Sequence, residues 1–257
     1  MTVTHGEKVV REFSKQAAAF GDPRLNMEFT VNLARLAQFM EPELDPEDVV
    51  LEVAAGTGLV SRAIARRVRH VTALDLTPAM LEQGKREADV DTLTNITFTR
   101  GEASDLPYVD RSFTLVVIRF ALHHVADPAA VVREMVRVSR PGAAVVVADL
   151  VRAGGADVDR IERLRDPSHG AILPADQISE LLTSAGAEVK RTDLFDLVRP
   201  LDPWLEQTGT PPEIAAQIRK ELADELAGGP ETGMRPSEVD GELHFTHANA
   251  FFSAIAP

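Results

Sequence analysis

The sequence predicts an α/β protein built on a parallel sheet doubly wound by helices. Three observations carry that prediction. From Val49 onward, short apolar runs rich in β-branched residues alternate with helical periodicity. Runs buried on both faces and separated by helices fit parallel strands joined by right-handed crossovers. The first run, Val49 to Val53, ends in a turn, Ala54-Ala55-Gly56-Thr57-Gly58, that opens a helix. An acid, Asp75, closes the next run 19 residues past Gly56. Strand, glycine turn, helix and strand-end acid together make the ligand-binding half of a doubly wound sheet.

The elements follow in order. Val10, Phe13, Ala17 and Phe20 recur at helical spacing until Gly21, Asp22 and Pro23 break the pattern. A second helical stretch runs from Asn26 to about Met40, and Glu41 to Asp48 reads as a linker turn. Residues 1–48 are thus expected to form an N-terminal helical cover. The cofactor-binding core is expected over 49–150. Its strands are Val49 to Val53, Val71 to Leu74, Ile96 to Arg100, Phe113 to Ile118 and Ala143 to Leu150. Its helices are Leu59 to Val68, Pro78 to Ala88 and Pro128 to Ser139, with Thr77 as the N-cap before Pro78. Past Leu150 the regularity stops, and residues 151–173, with Gly154 and Gly155, read as a mobile excursion. A helix (Pro174 to Ser184), a strand (Val189 to Val198), a helix (Pro212 to Leu226), a loop (Gly228 to Asp240) and a late strand (Leu243 to Ile255) complete the chain. Residues 151–257 are therefore expected to be a substrate-side lid plus C-terminal strands of the same domain.

Composition narrows the function. Of 257 residues, 44% are hydrophobic and 26% charged, which excludes a wholly disordered chain. No apolar run approaches the roughly 18 residues of a membrane span. With no cysteine there is no disulfide framework, thiolate metal site or cysteine nucleophile. The first residues lack the apolar core of a signal peptide, so a cytoplasmic location is expected. A net charge of −13 repels phosphate backbones, so nucleic acid is not the expected partner. A small-molecule partner is, for a monomer or homodimer, and no metal ion is called for.

The glycine turn permits positive φ and close approach of a ligand, and N–H groups at the helix start can face a polar group. Asp75 at the next strand end can meet ribose hydroxyls. A dinucleotide fingerprint needs a third glycine where the chain has Ser61. The sole tyrosine, Tyr108, is followed by Ser112 where a short-chain reductase has lysine. No Gly-Lys-Ser/Thr follows the turn, which excludes a P-loop.

Several stretches match one family in order: Leu51 to Gly58, Ala73 to Leu81, Gly101 to Tyr108, Ser112 to Val117, Ala121 to Pro128 and Val138 to Gly142. The chain resembles class I S-adenosylmethionine-dependent methyltransferases, and among them the ubiquinone and menaquinone C-methyltransferases and related natural-product methyltransferases. The resemblance implies a Rossmann-like seven-stranded mixed sheet, helices on both faces, and a helical and loop cover over the cleft. It implies S-adenosylmethionine as cofactor and S-adenosylhomocysteine as product. Gly56, Thr57 and Gly58, with Ala54 before them, would hold the methionine part, and Glu52 would sit near its amino group. Asp75 would bind the ribose, and Leu76 would pack on the adenine. Met80 would also belong to the cofactor site. Glu102 and Ala103 would meet the adenine edge, Arg119 would offer its carbonyl, and Phe20 would cover the cofactor. Ala54 replaces a common glycine, and Glu102 a common aspartate.

The expected reaction is in-line methyl transfer to a small, largely apolar acceptor, either quinone-like or a specialised metabolite. The alternatives are a nicotinamide-dependent oxidoreductase and a non-catalytic S-adenosylmethionine-binding protein. Methyl transfer from a sulfonium needs alignment and exclusion of water, with a base only when the acceptor must lose a proton. His123, His124 and His169 are the candidate catalytic groups. Arg165 either binds an acidic group or pairs with Glu162 or Asp166. His244 and His247 read as structural, and Trp204 as an anchor for the lid. The cover contributes Phe13, Phe20, Phe29, Leu173, Leu201 and Trp204 and few fixed polar anchors, hence the apolar acceptor.

Overall fold

A computed structural model describes residues 3–21, 27–154 and 157–257, with the backbone alone for Gly21 and 27–31. The expected helix break at Asp22 and Pro23, the helix start at Asn26, Gly155 of the expected excursion and the side chain of Phe29 lie outside the described residues.

The central sheet contains β1 (Val49–Val53), β2 (His70–Asp75), β3 (Ile96–Arg100), β4 (Phe113–Arg119), β5 (Ser139–Leu150), β6 (Glu188–Pro200) and β8 (Glu242–Ile255). Their order is β3-β2-β1-β4-β5-β8-β6, with the short β7 (Ser237–Val239) paired to β8. β1 to β5 pair in parallel, and β8 runs antiparallel to both β5 and β6. This is the expected seven-stranded mixed sheet plus one small strand. The order reverses between β1 and β4, and ligands bind outside the carboxyl ends of strands at such a point.

Alternating side chains of each strand face opposite layers. On one face Val50, Val71, Leu115 and Val117 pack with Leu36 and Met40 of α2 (Met27–Met40) and Val60 and Ile64 of α3 (Leu59–Ile64). On the other, Leu51, Val116, Ile118 and Val145 pack with Val131 and Met135 of α5 (Pro128–Val138) and Ile178 and Leu182 of α7 (Ala175–Ser184). Asp127 caps α5 by accepting the Ala130 N–H at 2.9 Å.

The structure departs from expectation at the ends of the chain. α1 is His5–Gln16, started by a capping box between Thr4 and Glu7, and Phe20 falls in a separate 3-10 turn, Ala19–Gly21. Of the two N-terminal helices, α1 lies over the cleft, whereas Leu36 and Met40 of α2 join the sheet's own core. Residues 151–173 are not wholly irregular, since they contain α6 (Val158–Arg165). With α8 (Leu201–Gln207) and α9 (Pro212–Leu226), α6 encloses a separate apolar cluster around Ile161, Trp204, Ile218, Leu222 and Phe245. That second core hangs on a strand extension. Residues 249–255 of β8 pair with β5, while its earlier half runs past β5 to pair with β6 and β7. Among the described residues no helix is long and apolar enough to cross a membrane.

Candidate functional site

A cavity of about 380 Å³ opens at the carboxyl ends of β1 and β4 and is covered by α1 and the Ala19–Gly21 turn. Its floor begins with the chain leaving β1. Ala54, Gly56 and Gly58 have φ of 49°, 56° and 70°. The left-handed region costs glycine little and a residue with a side chain more. Gly58 occupies the N-cap of α3 and has no side chain to cap it. Glu52 does so instead, accepting the Ser61 N–H at 2.7 Å, the Val60 N–H at 3.3 Å and the Ser61 hydroxyl. Burial pushes the Glu52 carboxyl up, against these bonds and the Arg119 charge. Burial likewise lowers Arg119 to about 10, with Glu52 opposing, so the guanidinium stays charged at neutral pH.

Asp75, 9% exposed at the end of β2, accepts the Gly56 N–H and the Thr77 N–H, each at 2.7 Å. Burial raises its pKa while these N–H groups pull it down. Thr77 holds the N-cap position of α4 (Pro78–Val90), but its side chain makes no capping bond. The N–H groups expected to face a ligand are largely used within the protein. Gly56 donates to Asp75, Gly58 to the Ala55 carbonyl, and Val60 and Ser61 to Glu52.

Behind the turn, α4 packs so closely that a Cβ on Gly84 would lie 2.4 Å from the Thr57 carbonyl oxygen. A glycine inside a helical pattern was the available signal for this contact. The loop after β3, which carries Glu102 and Ala103, is braced from α5. Glu134 accepts the Leu106 N–H at 2.8 Å, and Arg137 donates to the Leu106 and Tyr108 carbonyls at 3.0 and 2.8 Å.

Every expected cofactor residue except Gly58 lines the cavity. Gly58 instead packs beside the Phe98 ring, which lies 3.0 Å from where its Cβ would be. Arg119 is the last residue of β4 rather than a residue past it, and its side chain is buried.

The histidines divide. His123 and His124 line the cavity, and His169 does not. His169 is neither solvent-facing nor on the wall: it is 4% exposed, with Nε2 2.8 Å from Asp159. Burial lowers its pKa. His123 Nδ1 pairs with the Asp149 carboxylate, which keeps its pKa raised although burial opposes the charge. Burial, and then the His123 charge, push His124 down to about 3.

The far end of the cavity is more polar than expected, with Glu162, Arg165, Arg199, Gln207, His247 and Asn249 on its wall. Arg165 is half-buried and forms no exposed ion pair: it stacks over Trp204 at 4.2 Å, donates to the Trp204 carbonyl at 3.0 Å and lies 3.7 Å from Glu162. His247, read as structural, reaches the wall with Nε2 2.8 Å from Glu162, and His244 does not. Trp204 both anchors the second core and lines the cavity. Gln16 of α1 ties the cover to the loop after α6 by donating to Asp166 at 2.9 Å. Contacts between residues so far apart in sequence leave no local pattern.

Residues 51–147 match the methyltransferase domain family. The chain is 27% identical over 210 residues to an uncharacterized methyltransferase, YcgJ, of Bacillus subtilis, covering 80% of this chain and 82% of that protein. It is 43% identical over 105 residues to the demethylmenaquinone methyltransferase of Renibacterium salmoninarum, a match to 40% of this chain and 42% of that enzyme. Among solved structures, a protein of Bacillus halodurans C-125 provisionally described as a methyltransferase superposes with a TM-score of 0.78 at 25% identity. That match covers 88% of this chain and 99% of the other.

Proposed function

Since the chain belongs to the class I S-adenosylmethionine-dependent methyltransferases, we propose that its cavity holds S-adenosylmethionine at the β1–β2 side and a small acceptor at the Trp204–His247 side. The observation that carries this reading is one continuous cavity lined at once by the glycine turn with Asp75 and by a separate polar and aromatic end. Asp75 faces the ribose hydroxyls, and the open backbone at Gly56, where a Cβ would meet nothing within 4 Å, takes the methionine part. Leu76, Met80, Glu102 and Ala103 surround the adenine, and Phe20 closes over it.

The acceptor's nucleophilic atom attacks the methyl carbon in line with sulfur. The carbon–sulfur bond breaks as the new bond forms, and S-adenosylhomocysteine leaves. Alignment and a dry site supply the rate. A general base works best with a pKa near the operating pH. His124, held down to about 3, is far from that value. His124 therefore shapes the wall, His123 lines it beside Asp149, and His169 stands behind it.

The acceptor is quinone-like or a specialised metabolite. Val9, Phe13, Leu150 and Leu197 offer it apolar surface, and the buried polar groups around Arg165 and Asn249 select one that also carries polar substituents. A screen of such acceptors with methyl-labelled S-adenosylmethionine, read as labelled mass gain, tests the reading. Label in one acceptor class is expected. S-adenosylhomocysteine binding without turnover on any acceptor would favour a non-catalytic S-adenosylmethionine-binding protein.

A further inference from the structure

Three imidazoles converge at and just behind the cavity wall. His123 and His124 lie on the 3-10 turn Leu122–His124 after β4, and His169 follows α6. Their ring centroids are 4.4, 5.7 and 5.9 Å apart. One ring nitrogen from each lies within 4.8 Å of those of the other two. Imidazoles bound to one tetrahedral ion at a metal–nitrogen distance of about 2.0–2.1 Å place their centroids roughly 5 Å apart. The rings thus stand near ligating positions, with nitrogens within 4.8 Å closing to about 3.4 Å around a bound ion.

Each ring is also oriented from behind, two by an acid directly and the third through a hydroxyl. His123 Nδ1 pairs with Asp149, and His169 Nε2 lies 2.8 Å from Asp159. His124 Nδ1 lies 3.3 Å from the Ser168 hydroxyl, which donates to Asp166 at 2.6 Å. Metal-bound histidines characteristically use their second nitrogen in this way, which sets the tautomer and ring direction. The acids are themselves held, since Asp159 accepts the Ile172 N–H at 2.8 Å and pairs with Arg152 at 2.6 Å.

Two further observations point to a ligand. His169 Nδ1 is buried in a side chain 1% exposed and has no hydrogen-bond partner. A buried ring nitrogen left unmatched is unfavourable, and a cation would match it. The loop bearing His169 is also pinned to the histidine turn. Gly170 N–H donates to the His123 carbonyl at 2.9 Å, and a Cβ on Gly170 would sit 2.9 Å from that same oxygen.

We propose that His123, His124 and His169 form a binding site for a single first-row divalent cation of imidazole preference, Zn²⁺ foremost, with its fourth position open to the cavity. Three nitrogen donors suit Zn²⁺ or Co²⁺, whereas Mg²⁺ and Ca²⁺ require oxygen donors. His123 and His124 line the cavity, so a bound ion would present its open position to an acceptor oxygen. No local spacing announces the site, because His169 is separated from the pair by α5, β5 and α6. The proposal does not depend on the methyl-transfer reading, because metal binding is measured without cofactor or acceptor.

The test is a titration of the chelator-treated full chain with Co²⁺, followed by visible absorption, and then displacement by Zn²⁺. The expected result is one Co²⁺ per chain with the intense visible bands of tetrahedral cobalt, abolished by one equivalent of Zn²⁺. His169→Ala should lose these bands while circular dichroism stays native. Asp159→Asn, which keeps all three ligands, should weaken binding about 10–100-fold, and it decides the matter should His169→Ala fail to fold. A wild-type chain that takes up no stoichiometric Co²⁺ overturns the site. So does cobalt binding that a folded His169→Ala or Asp159→Asn chain retains in full.

Discussion

Ala54, at φ 49°, holds a left-handed conformation in the first turn of the site. That conformation costs a residue with a Cβ about 1–2 kcal/mol, and strain of this kind concentrates at functional sites. Phe120, just past β4, shares the same φ of 49°, so the backbone is strained on both sides of the order reversal. Glycine would relieve the strain at Ala54 but would give the unfolded chain about 0.4–1 kcal/mol of extra freedom. Ala54→Gly is therefore expected to stabilise the protein by up to about 1 kcal/mol in urea unfolding, and a net loss would show that the Ala54 methyl packs favourably. The positions of Ala54, Gly56 and Asp75 were legible in the sequence because a strand end, a turn and a second strand end follow one another locally. The work of Glu52 was not. It reaches the start of α3, eight and nine residues on, and only the missing side chain at Gly58 hints that another group must cap the helix.

Two helices hold the cavity's loops in place. A methyl group at position 84 of α4 would come within 2.4 Å of the Thr57 carbonyl, which is backbone and cannot move alone. Gly84→Ala is expected to cost about 1–3 kcal/mol of stability and to weaken S-adenosylhomocysteine binding by displacing the turn, both read by thermal shift with and without ligand. In α5, Arg137 first, with help from the Leu106 N–H, holds the Glu134 carboxyl below its usual value against burial. A depressed carboxyl stabilises the fold above the unfolded value of about 4.5, and that contribution fades as pH falls through the folded value. Glu134→Gln should thus destabilise by about 1–2 kcal/mol at pH 7, with the gap to wild type closing below about pH 4.5 in pH-dependent unfolding. A gap independent of pH would mean that the bond to Leu106 does not depend on the charge. Core strands and helices were readable because β-branched runs and long apolar periods are local signals. α6 and α8 were not, for each is only eight or seven residues long and α8 carries Pro203, too little chain to show a period.

At the scale of the molecule, the protein joins a Rossmann-like sheet with its own two-faced core to a second apolar cluster carried on the extension of β6 and β8. Gln16 of α1 is bonded across the cleft to Asp166, and His5 Nε2 lies 2.6 Å from the His124 carbonyl, so the cover touches both the core and the second cluster. Such contacts join residues 150 and 119 positions apart, which is why the cover's reach and the polar end of the cavity were the least legible parts of the chain. The expectation of an apolar acceptor followed from the aromatic and leucine side chains of the cover and its few visible polar anchors, and the Glu162–His247 and Arg165–Trp204 contacts amend it. In the proposed function, Asp75 and the glycine turn seat the ribose and methionine parts of the cofactor in this cavity. Calorimetric titration of S-adenosylhomocysteine into the wild type and a folded Asp75→Ala chain tests that seating. One site per wild-type chain is expected, with an affinity about 10–100-fold lower in Asp75→Ala, as for the loss of a buried charge-assisted hydrogen bond. Equal affinity in both chains, or no binding to folded wild type, would contradict it.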